Sequence, residues 1–272
     1  MPNFISEDDI ENALIAKLTT TLGWQTLNAY TVNRDTLPDG TGRADKSEVL
    51  LLDRLRAAAL RLNSHLPESA IDLALSQFTD RRLAQSIITA NAEIDFLLRE
   101  GIDVEYANPQ GRTEHGKVRL IDFETPDRNE FLAVTQLWIT GETHWRRPDV
   151  LLYVNGIPLV MVELKNSNVK LKSAYDDNLT NYKHDIPRLF HFNAFVLLSN
   201  AFVLLSNAIE TRVGSISAAW EHFFAWLRPD DERERVERKE IAAAHTSIER
   251  AAAGLFRPDR LLDYLENFTI FY

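Results

Sequence analysis

Two acidic residues and a lysine near the middle of the chain have types and spacing that could do chemistry. Thirteen residues separate Asp149, which follows a proline, from Glu163, and Lys165 lies two positions further on. Two carboxylates that converge at strand ends form a hard oxygen site, suited to Mg²⁺ or Mn²⁺ with several waters retained. A metal there polarises a phosphoryl oxygen and lowers the pKa of a bound water. Lys165 can orient or help deprotonate that water and stabilise charge developing on phosphorus.

A plain alternative is a salt bridge at a strand end, in which Lys165 pairs with Glu163 or Asp149. Short patterns of acidic and basic residues arise often by chance. Here, however, the three polar groups end otherwise apolar runs, and burying charges beside residues 159–162 is costly unless a metal or a partner neutralises them. This context shifts the balance toward a metal site.

The elements that must position these groups are two strands joined at Asn155-Gly156, the strongest short hairpin signal in the chain. Side chains alternate along a strand, so Glu163 and Lys165 share a face. Asp149 joins that face only if the connection has an odd number of residues or a strand contains a bulge. We predict a three-residue loop with Gly156 in the left-handed conformation, which pairs residue 153 with residue 157.

Hydrophobic periodicity predicts the remaining elements. It indicates a helix at 7–22, capped by Ser6 and stopped by Gly23, and further helices near 47–63, 68–78, 84–99, 173–184 and 216–227. Strand patterns cover 117–123, 131–140 and about 194–205. The aromatic residues of 216–227 are expected to face the core. This order predicts an α/β fold, a mixed β-sheet flanked by helices with a helical N-terminal elaboration.

Residues 146–168 (RRPDVLLYVNGIPLVMVELKNSN) resemble the PD-(D/E)xK nuclease core in the restriction (motor/nuclease) subunit of type I restriction–modification enzymes. The resemblance continues downstream through DNLTNYKHDIPRLF, FVLLSN and AIETRVGSI, and upstream in EFLAVTQLW and LGW. It covers most of residues 7–215 and is most specific in the block 146–192. A restriction-endonuclease-like fold is implied.

The resemblance implies a Mg²⁺-dependent endonuclease domain that cuts double-stranded DNA. Asp149 and Glu163 would be the metal ligands and Lys165 the catalytic lysine. The family carries a Gln-xxx-Tyr motif on the following helix, to which Asn178 and Tyr182 correspond, with asparagine in place of the glutamine. Glu11 of the first helix is a further candidate for the metal site, against the alternative of an exposed helix glutamate.

The resemblance also implies a domain organisation. Residues 1–229 would be the endonuclease domain, with the helical elaboration at about 30–100 and the catalytic core at about 116–215. Residues 230–272 would be a charged helical linker toward an ATP-dependent motor domain absent from this chain. Residues 40–47 resemble a phosphate-binding loop but have Asp45 where its second glycine belongs, so we expect ATP to be used only by that motor. The implied partners are the methylation and specificity subunits.

Composition sets limits on these readings. The 272 residues include no cysteine, which excludes disulfides, cysteine-based metal sites and a thiol nucleophile. The acidic N-terminus is unlike a secretory signal, and we expect a cytoplasmic protein without a membrane span. The apolar stretch at 191–209 contains a tandem AFVLLSN, one copy of which is predicted to form a buried strand.

The net charge of −10 opposes DNA binding, because neutralisation of phosphates drives that binding. Basic residues near the proposed site soften this objection: Arg146, Arg147, Lys165, Lys170, Lys172, Lys183 and Arg188. We therefore expect weak DNA binding by the isolated domain. Two other functions stay open: a non-catalytic module that docks DNA or a methyltransferase, and a stand-alone DNA repair nuclease.

Overall fold

A computed structural model describes residues 5–80, 85–192, 202–215, 218–226 and 246–267. The helices are α1 (Glu7–Leu22), α2 (Leu52–Leu62), α3 (Glu68–Thr79), α4 (Ile87–Glu100), α5 (Leu171–Ser173), α6 (Thr180–Asp185), α7 (Pro187–Phe192), α8 (Ser247–Leu255) and α9 (Pro258–Asn267). A π-helical segment, Ala174–Leu179, joins α5 to α6.

The strands are β1 (Gln25–Asn28), β2 (Ile102–Ala107), β3 (Thr113–Val118), β4 (Phe131–Thr135), β5 (Ile139–Thr140), β6 (Trp145–Arg146), β7 (Val150–Val154), β8 (Ile157–Leu164), β9 (Phe202–Ser206), β10 (Thr211–Ser215) and β11 (Phe224–Ala225). Seven of them form the main sheet, in the order β1-β4-β7-β8-β9-β10-β11. Two-stranded sheets are formed by β2 with β3 and by β5 with β6.

The main sheet is mixed. The pairs β1–β4 and β8–β9 are parallel, whereas β4–β7, β7–β8, β9–β10 and β10–β11 are antiparallel. Every residue of β4, β7 and β8 is buried. Strands that are buried on both faces require cover on both sides of the sheet, and the helices supply it. The predicted α/β fold, a mixed sheet flanked by helices, is confirmed.

Helix α1 begins and ends where the sequence predicts. Ser6 caps it in a reciprocal capping box with Asp9, and Gly23 ends it in the left-handed conformation with φ of 75°. Its residues Ile10, Leu14 and Leu18 are buried in the core. This helix therefore has one face fixed against the domain and leaves its first turns beside the end of β8.

Three of the remaining predictions for the first half hold only in part. Helix α2 begins at Leu52 rather than at residue 47. The strand predicted at 117–123 is wrong beyond residue 118, because β3 covers Thr113–Val118 and pairs with β2. The strand predicted at 131–140 is divided into β4 and β5. Of the three residues between them, Gln136 has a φ of 57°, a left-handed backbone that a regular strand does not allow.

The helix predicted at 216–227 is wrong for the residues described there. A single 3₁₀ turn spans Trp220–His222, and Phe224–Ala225 is an edge strand paired with β10. Phe223 is buried against Gly214, where a Cβ would lie 2.6 Å from the phenyl ring. Packing of this ring over the bare backbone holds the chain extended and outweighs the helical spacing of the aromatic residues. Phe224 is 40% exposed, so the aromatic group does not face the core as a whole.

The second AFVLLSN copy supplies β9, which pairs in parallel with β8. The first copy, at 194–200, and the charged run at 230–240 lie outside the described residues. Within the described part of the chain, no helix is both long and apolar enough to cross a membrane.

Helices α8 and α9 belong to the same hydrophobic core as α1. Ile248, Ala251 and Leu255 are buried, and the indole Nε1 of Trp24 donates a hydrogen bond of 2.8 Å to the carbonyl oxygen of Phe256. The division of the chain at residue 229 stays a prediction.

Candidate active site

Asp149 and Glu163 lie on the same face of the hairpin because β8 contains a bulge, the second of the two possibilities that the sequence allowed. The predicted three-residue loop is wrong: Asn155 and Gly156 form a two-residue turn with φ of 50° and 80°, and Val154 pairs with Ile157. A β-bulge then adds Leu159 to β8, because Tyr153 pairs with Pro158 while Leu152 pairs with Val160. A two-residue turn alone would place Asp149 and Glu163 on opposite faces of the hairpin, and the extra residue returns them to the same face.

Beyond the bulge the register pairs Val150 with Val162. Its continuation by one residue sets Asp149 opposite Glu163. The contact that fixes this end of the hairpin is a hydrogen bond of 2.7 Å from the Leu164 amide to the Asp149 carboxylate. The two predicted carboxylates therefore meet at one end of the central strands.

Glu163 is buried, with 2% of its surface exposed, and its two carboxylate oxygens differ. Oε1 accepts hydrogen bonds from the ammonium of Lys165, at 3.0 Å, and from the side-chain amide of Asn178. Oε2 is buried and accepts no hydrogen bond from any residue that the structure describes. A buried carboxylate oxygen without a donor is costly unless a cation or a water meets it. This oxygen is therefore suited to bind a hard cation.

The carboxyl groups are held in a way that opposes their ionisation. Burial raises the pKa of Asp149 above its ordinary value of 3.8 and that of Glu163 above 4.5, and the charge of Asp149 raises the pKa of Glu163 further. Burial alone would lower the pKa of Lys165, but the carboxylates of Glu163, Asp149 and Glu7 outweigh it, so the pKa is raised. A divalent cation between the carboxylates would relieve their repulsion.

Asn178 and Tyr182 lie on one side of this pair, on the chain that leads from the π-helical segment into α6. The amide of Asn178 contacts Glu163, and the buried Tyr182 hydroxyl donates to the Arg147 carbonyl oxygen at 3.4 Å. Burial, followed by the charges of Glu163 and Asp149, raises the pKa of Tyr182 well above 10.0. The shorter amide thus still reaches the carboxylate. Single π-turns within helices occur often at functional sites.

On the other side, a cleft of about 390 Å³ opens beside Asp149 and is lined in part by Glu7, Glu11, Gln136 and Arg147. Glu11 accepts a hydrogen bond of 2.6 Å from the Gln136 side chain. Burial raises the pKa of Glu11, the hydrogen bond from Gln136 partly offsets that rise, and the charge of Asp149 adds to it. Glu11 is half-buried at the candidate site rather than exposed on its helix.

Two contacts at this cleft were not foreseen. First, Glu7 accepts a hydrogen bond of 3.1 Å from the backbone amide of Asn166, just after β8. Second, Gln136 donates from its side chain to Glu11 and from its backbone amide, at 3.0 Å, to the carbonyl oxygen of Asp149. Glu7 could have been found, because it lies four positions before Glu11 on the same helix face. The left-handed backbone of Gln136 has no signal in its residue type.

The donor set fits a cation that retains water. Among the residues that the structure describes, no group of three or more histidine, aspartate or glutamate side chains forms a ready cation site. Mg²⁺ is commonly held by one or two carboxylates and keeps several waters, which matches Asp149 and Glu163.

Residues 40–47 are held by a buried ion cluster in which the ammonium of Lys46 is already engaged. The Asp39 carboxylate accepts hydrogen bonds from Arg43 at 2.6 Å and from Lys46 at 2.8 Å. Burial alone would raise the pKa of Asp39, but these hydrogen bonds outweigh it and hold the pKa far below its usual range. Arg43 also donates to the Trp138 carbonyl oxygen at 3.0 Å. The cluster ties this loop to the chain between β4 and β5.

Several of the basic residues named above already have partners. Arg146 pairs with the buried Asp185, and Lys172 pairs with Asp176 at 2.6 Å. Arg147 instead lies over two aromatic rings at the cleft.

Fold and site together define a class: a restriction-endonuclease-like α/β protein whose central hairpin ends on two carboxylates and a lysine. Residues 4–222 match the family described as type I restriction enzyme R protein N terminus, and the chain belongs to that family.

Two relatives illustrate the similarity. The chain is 34% identical over 274 residues to the type I restriction enzyme HindI endonuclease subunit of Haemophilus influenzae, across 98% of this chain and 24% of that protein. It is 29% identical over 278 residues to the putative type I restriction enzyme MjaIXP endonuclease subunit of Methanocaldococcus jannaschii, across 96% of this chain and 25% of that protein. The chain thus spans about a quarter of the length of these relatives.

Proposed function

We propose that this chain is the Mg²⁺-dependent nuclease part of a type I restriction enzyme subunit and hydrolyses phosphodiester bonds of double-stranded DNA. The observation that carries the proposal is the meeting of Asp149 and Glu163, with one oxygen of Glu163 buried and free and Lys165 at 3.0 Å from the other. The names of the relatives, endonuclease subunits of type I restriction enzymes, support it.

Asp149 and Glu163 would hold Mg²⁺, or Mn²⁺, through their carboxylates. The bound metal would polarise a phosphoryl oxygen and lower the pKa of a water that it binds. The raised pKa of Lys165 keeps its side chain protonated at neutral pH. We therefore propose that Lys165 acts in its protonated form: its ammonium would orient the attacking water and stabilise negative charge on the phosphoryl group. The water oxygen would bond to phosphorus and give up a proton to solvent, the bond from phosphorus to the sugar oxygen would break, and that oxygen would leave as an alcohol after it takes up a proton.

Asn178 and Tyr182 support this chemistry from the neighbouring helix. Asn178 donates to the Glu163 oxygen that also accepts from Lys165, which leaves the other oxygen directed away from both donors. The buried side chain of Tyr182 lies next to Asp149 and Glu163 on the side away from the cleft. Asn178 thus fills the role implied for the family's glutamine, as a positioning residue.

The remaining parts of the proposal concern the whole enzyme. Residues 1–229 would form the endonuclease domain, and residues 230–272 would lead toward a motor domain that alone uses ATP. The methylation and specificity subunits would deliver the DNA and supply sequence recognition. Such an enzyme would work in the cytoplasm.

The test is DNA cleavage by the assembled enzyme that carries Asp149→Ala or Lys165→Ala during a Mg²⁺ titration. We expect both variants to assemble and to lose cleavage by about a hundredfold or more, because each removes charge stabilisation at the reacting phosphate. Glu124→Gln, which changes an exposed carboxylate in the loop before β4, is the matched control and should cleave normally. Unimpaired cleavage by both site variants would refute the proposal.

A second function, a non-catalytic docking module, is favoured by one observation. Glu163 and Lys165 form an ion pair of 3.0 Å, as they would in a purely structural strand-end salt bridge. A docking module predicts that Asp149→Ala leaves restriction intact, whereas substitutions on the exposed surface disrupt assembly.

A further inference from the structure

Arg147 lies at the cleft beside Asp149 with its guanidinium between two aromatic rings. The guanidinium carbon is 5.4 Å from the ring centroid of Tyr30 and 5.0 Å from that of Trp138. Tyr30 and Arg147 both line the cleft, and Arg147 is the single basic residue among its described lining residues. The side chain is therefore held in one place next to the proposed metal ligands.

The guanidinium of Arg147 makes no ion pair with any carboxylate in the described ranges. The arginines that resemble it differ in this respect. Arg146 lies over Tyr182 but pairs with Asp185, and Arg212 lies over Trp220 but pairs with Glu210 at 2.5 Å. Arg147 thus keeps its donors free for an external acceptor, although four acidic residues share its cleft.

A second stacked arginine extends the same surface. Arg34 lies 5.2 Å from the ring centroid of Trp145, and Tyr30 is 53% exposed. Arg34 is exposed and also lacks an ion pair within the described part of the chain. We call Tyr30, Arg34, Trp138, Trp145 and Arg147 the arginine–aromatic strip. It runs from the β5–β6 hairpin to the mouth of the cleft.

We propose that the arginine–aromatic strip binds the DNA strand that enters the cleft, with Arg147 contacting a backbone phosphate beside the scissile one. This inference rests on the proposed nuclease function and goes beyond it by naming the contact residues.

Three physical features favour a phosphate as the ligand. The planar guanidinium presents a fork of donors that matches a phosphate group. Rings on both sides fix the guanidinium, so little side-chain freedom is lost on binding. A local cation next to the carboxylates is also needed, because the chain carries a net charge of −10 and would otherwise repel a polyanion.

The test is the affinity of the chain for a labelled DNA duplex at several salt concentrations, with Ca²⁺ as the cation so that binding is measured apart from turnover. Arg147→Ala should weaken binding about tenfold and lower the salt slope by about 1, since one phosphate contact is lost. Arg147→Lys should recover the slope, because it keeps the charge. The DNA affinity of Tyr30→Leu should lie between those of the unaltered chain and of Arg147→Ala, because one of the two rings that hold Arg147 is lost.

Arg212→Ala is the matched control: it removes another ring-stacked arginine, already paired with Glu210, and should bind as the unaltered chain does. Melting curves of each variant verify folding. Unchanged affinity and slope in folded Arg147→Ala, equal losses in Arg147→Ala and Arg212→Ala, or no DNA binding by the unaltered chain would each overturn the inference. The nuclease proposal is judged separately, by cleavage in the Asp149→Ala and Lys165→Ala enzymes.

Discussion

At the scale of single residues, Glu163 is costly to the fold. Its carboxylate is buried beside Asp149, and one oxygen accepts no hydrogen bond among the described residues. Replacement of a buried charge by a neutral group of the same shape commonly stabilises a protein when the charge is poorly compensated. Such a cost is typical of a functional site, because stability and function impose different demands on the same residue.

Glu163→Gln should therefore stabilise the metal-free chain at pH 8, by about 1 kcal/mol, since the amide is buried at lower cost. The native pKa of Glu163 is raised above 4.5, so the native state holds its proton more tightly than the unfolded chain does. The stability of the unaltered chain should fall as pH rises from about 4.5 through the native pKa of Glu163, and the fall should be smaller in the variant, where only the other carboxyls with a raised pKa, such as Asp149, contribute to it.

Urea unfolding at pH 4 and pH 8 measures this effect, with Glu124→Gln as the control for an exposed carboxylate. A Glu163→Gln chain that is less stable than the unaltered chain at pH 8 would show that the ion pair with Lys165 outweighs the cost of burial.

At the scale of elements, the turn between β7 and β8 determines whether the site exists. Gly156 has φ of 80°, and a Cβ there would lie 2.6 Å from the Leu51 carbonyl oxygen and 2.9 Å from the Leu55 amide nitrogen. Two backbone groups at the start of α2 therefore close over the turn, and the Leu51 amide donates to the Gly156 carbonyl oxygen at 2.9 Å. This contact fixes the hairpin relative to the helical part of the domain.

Gly156→Ala should destabilise the chain by about 3 kcal/mol or more, because backbone strain is added to a clash that no side chain can relieve. Gly111→Ala is a matched control: Gly111 has φ of 74° but nothing within 4 Å of its Cβ position, so it should cost about 1 kcal/mol from strain alone. Thermal or urea unfolding compares the two. Equal losses would contradict the assigned clash.

The hairpin also marks the limit of prediction from sequence. Asn155-Gly156 identifies the turn, since both residues adopt positive φ readily, and the apolar runs identify β7 and β8. The bulge at Leu159 could not be read from the sequence, because it depends on how β8 packs between β7 and β9. The same holds for Phe223, which packs over Gly214 from nine residues away and prevents the helix that its neighbours' spacing favours.

At the scale of the whole molecule, the C-terminal helices join the core that the N-terminal helix begins. Trp24 and Phe256 are linked by a hydrogen bond of 2.8 Å across most of the chain, and Ile248 and Leu255 are buried in the same core. The nuclease-like part and residues 246–267 are thus expected to unfold together.

A chain that ends at residue 245 should lose stability on the order of 5 kcal/mol, because it exposes the apolar surfaces that α8 covers on α1. Trp24→Phe, which removes the indole hydrogen bond and leaves part of the buried ring site unfilled, should cost about 2 to 3 kcal/mol. Denaturant unfolding compares these chains. A truncated chain with unchanged stability would favour residues 230–272 as a separate linker.

Fold and family could be anticipated because the informative residues are close in sequence and end apolar strands. The cleft could not, since it joins Glu7 and Glu11 of α1 to Gln136 and Arg147, which are more than a hundred residues away. Only the packing of α1 against the sheet brings them together.

The most direct test of the account is a calorimetric titration of the chain with Mn²⁺ at pH 8, alongside Asp149→Asn, Glu163→Gln and Lys165→Met. Saturable binding by the unaltered chain should be lost in both carboxylate variants, because each removes one of the two ligands. It should persist or strengthen in Lys165→Met, because the competing ammonium is gone. Equal Mn²⁺ affinity in the unaltered chain and in both carboxylate variants would contradict the assignment of Asp149 and Glu163 as metal ligands.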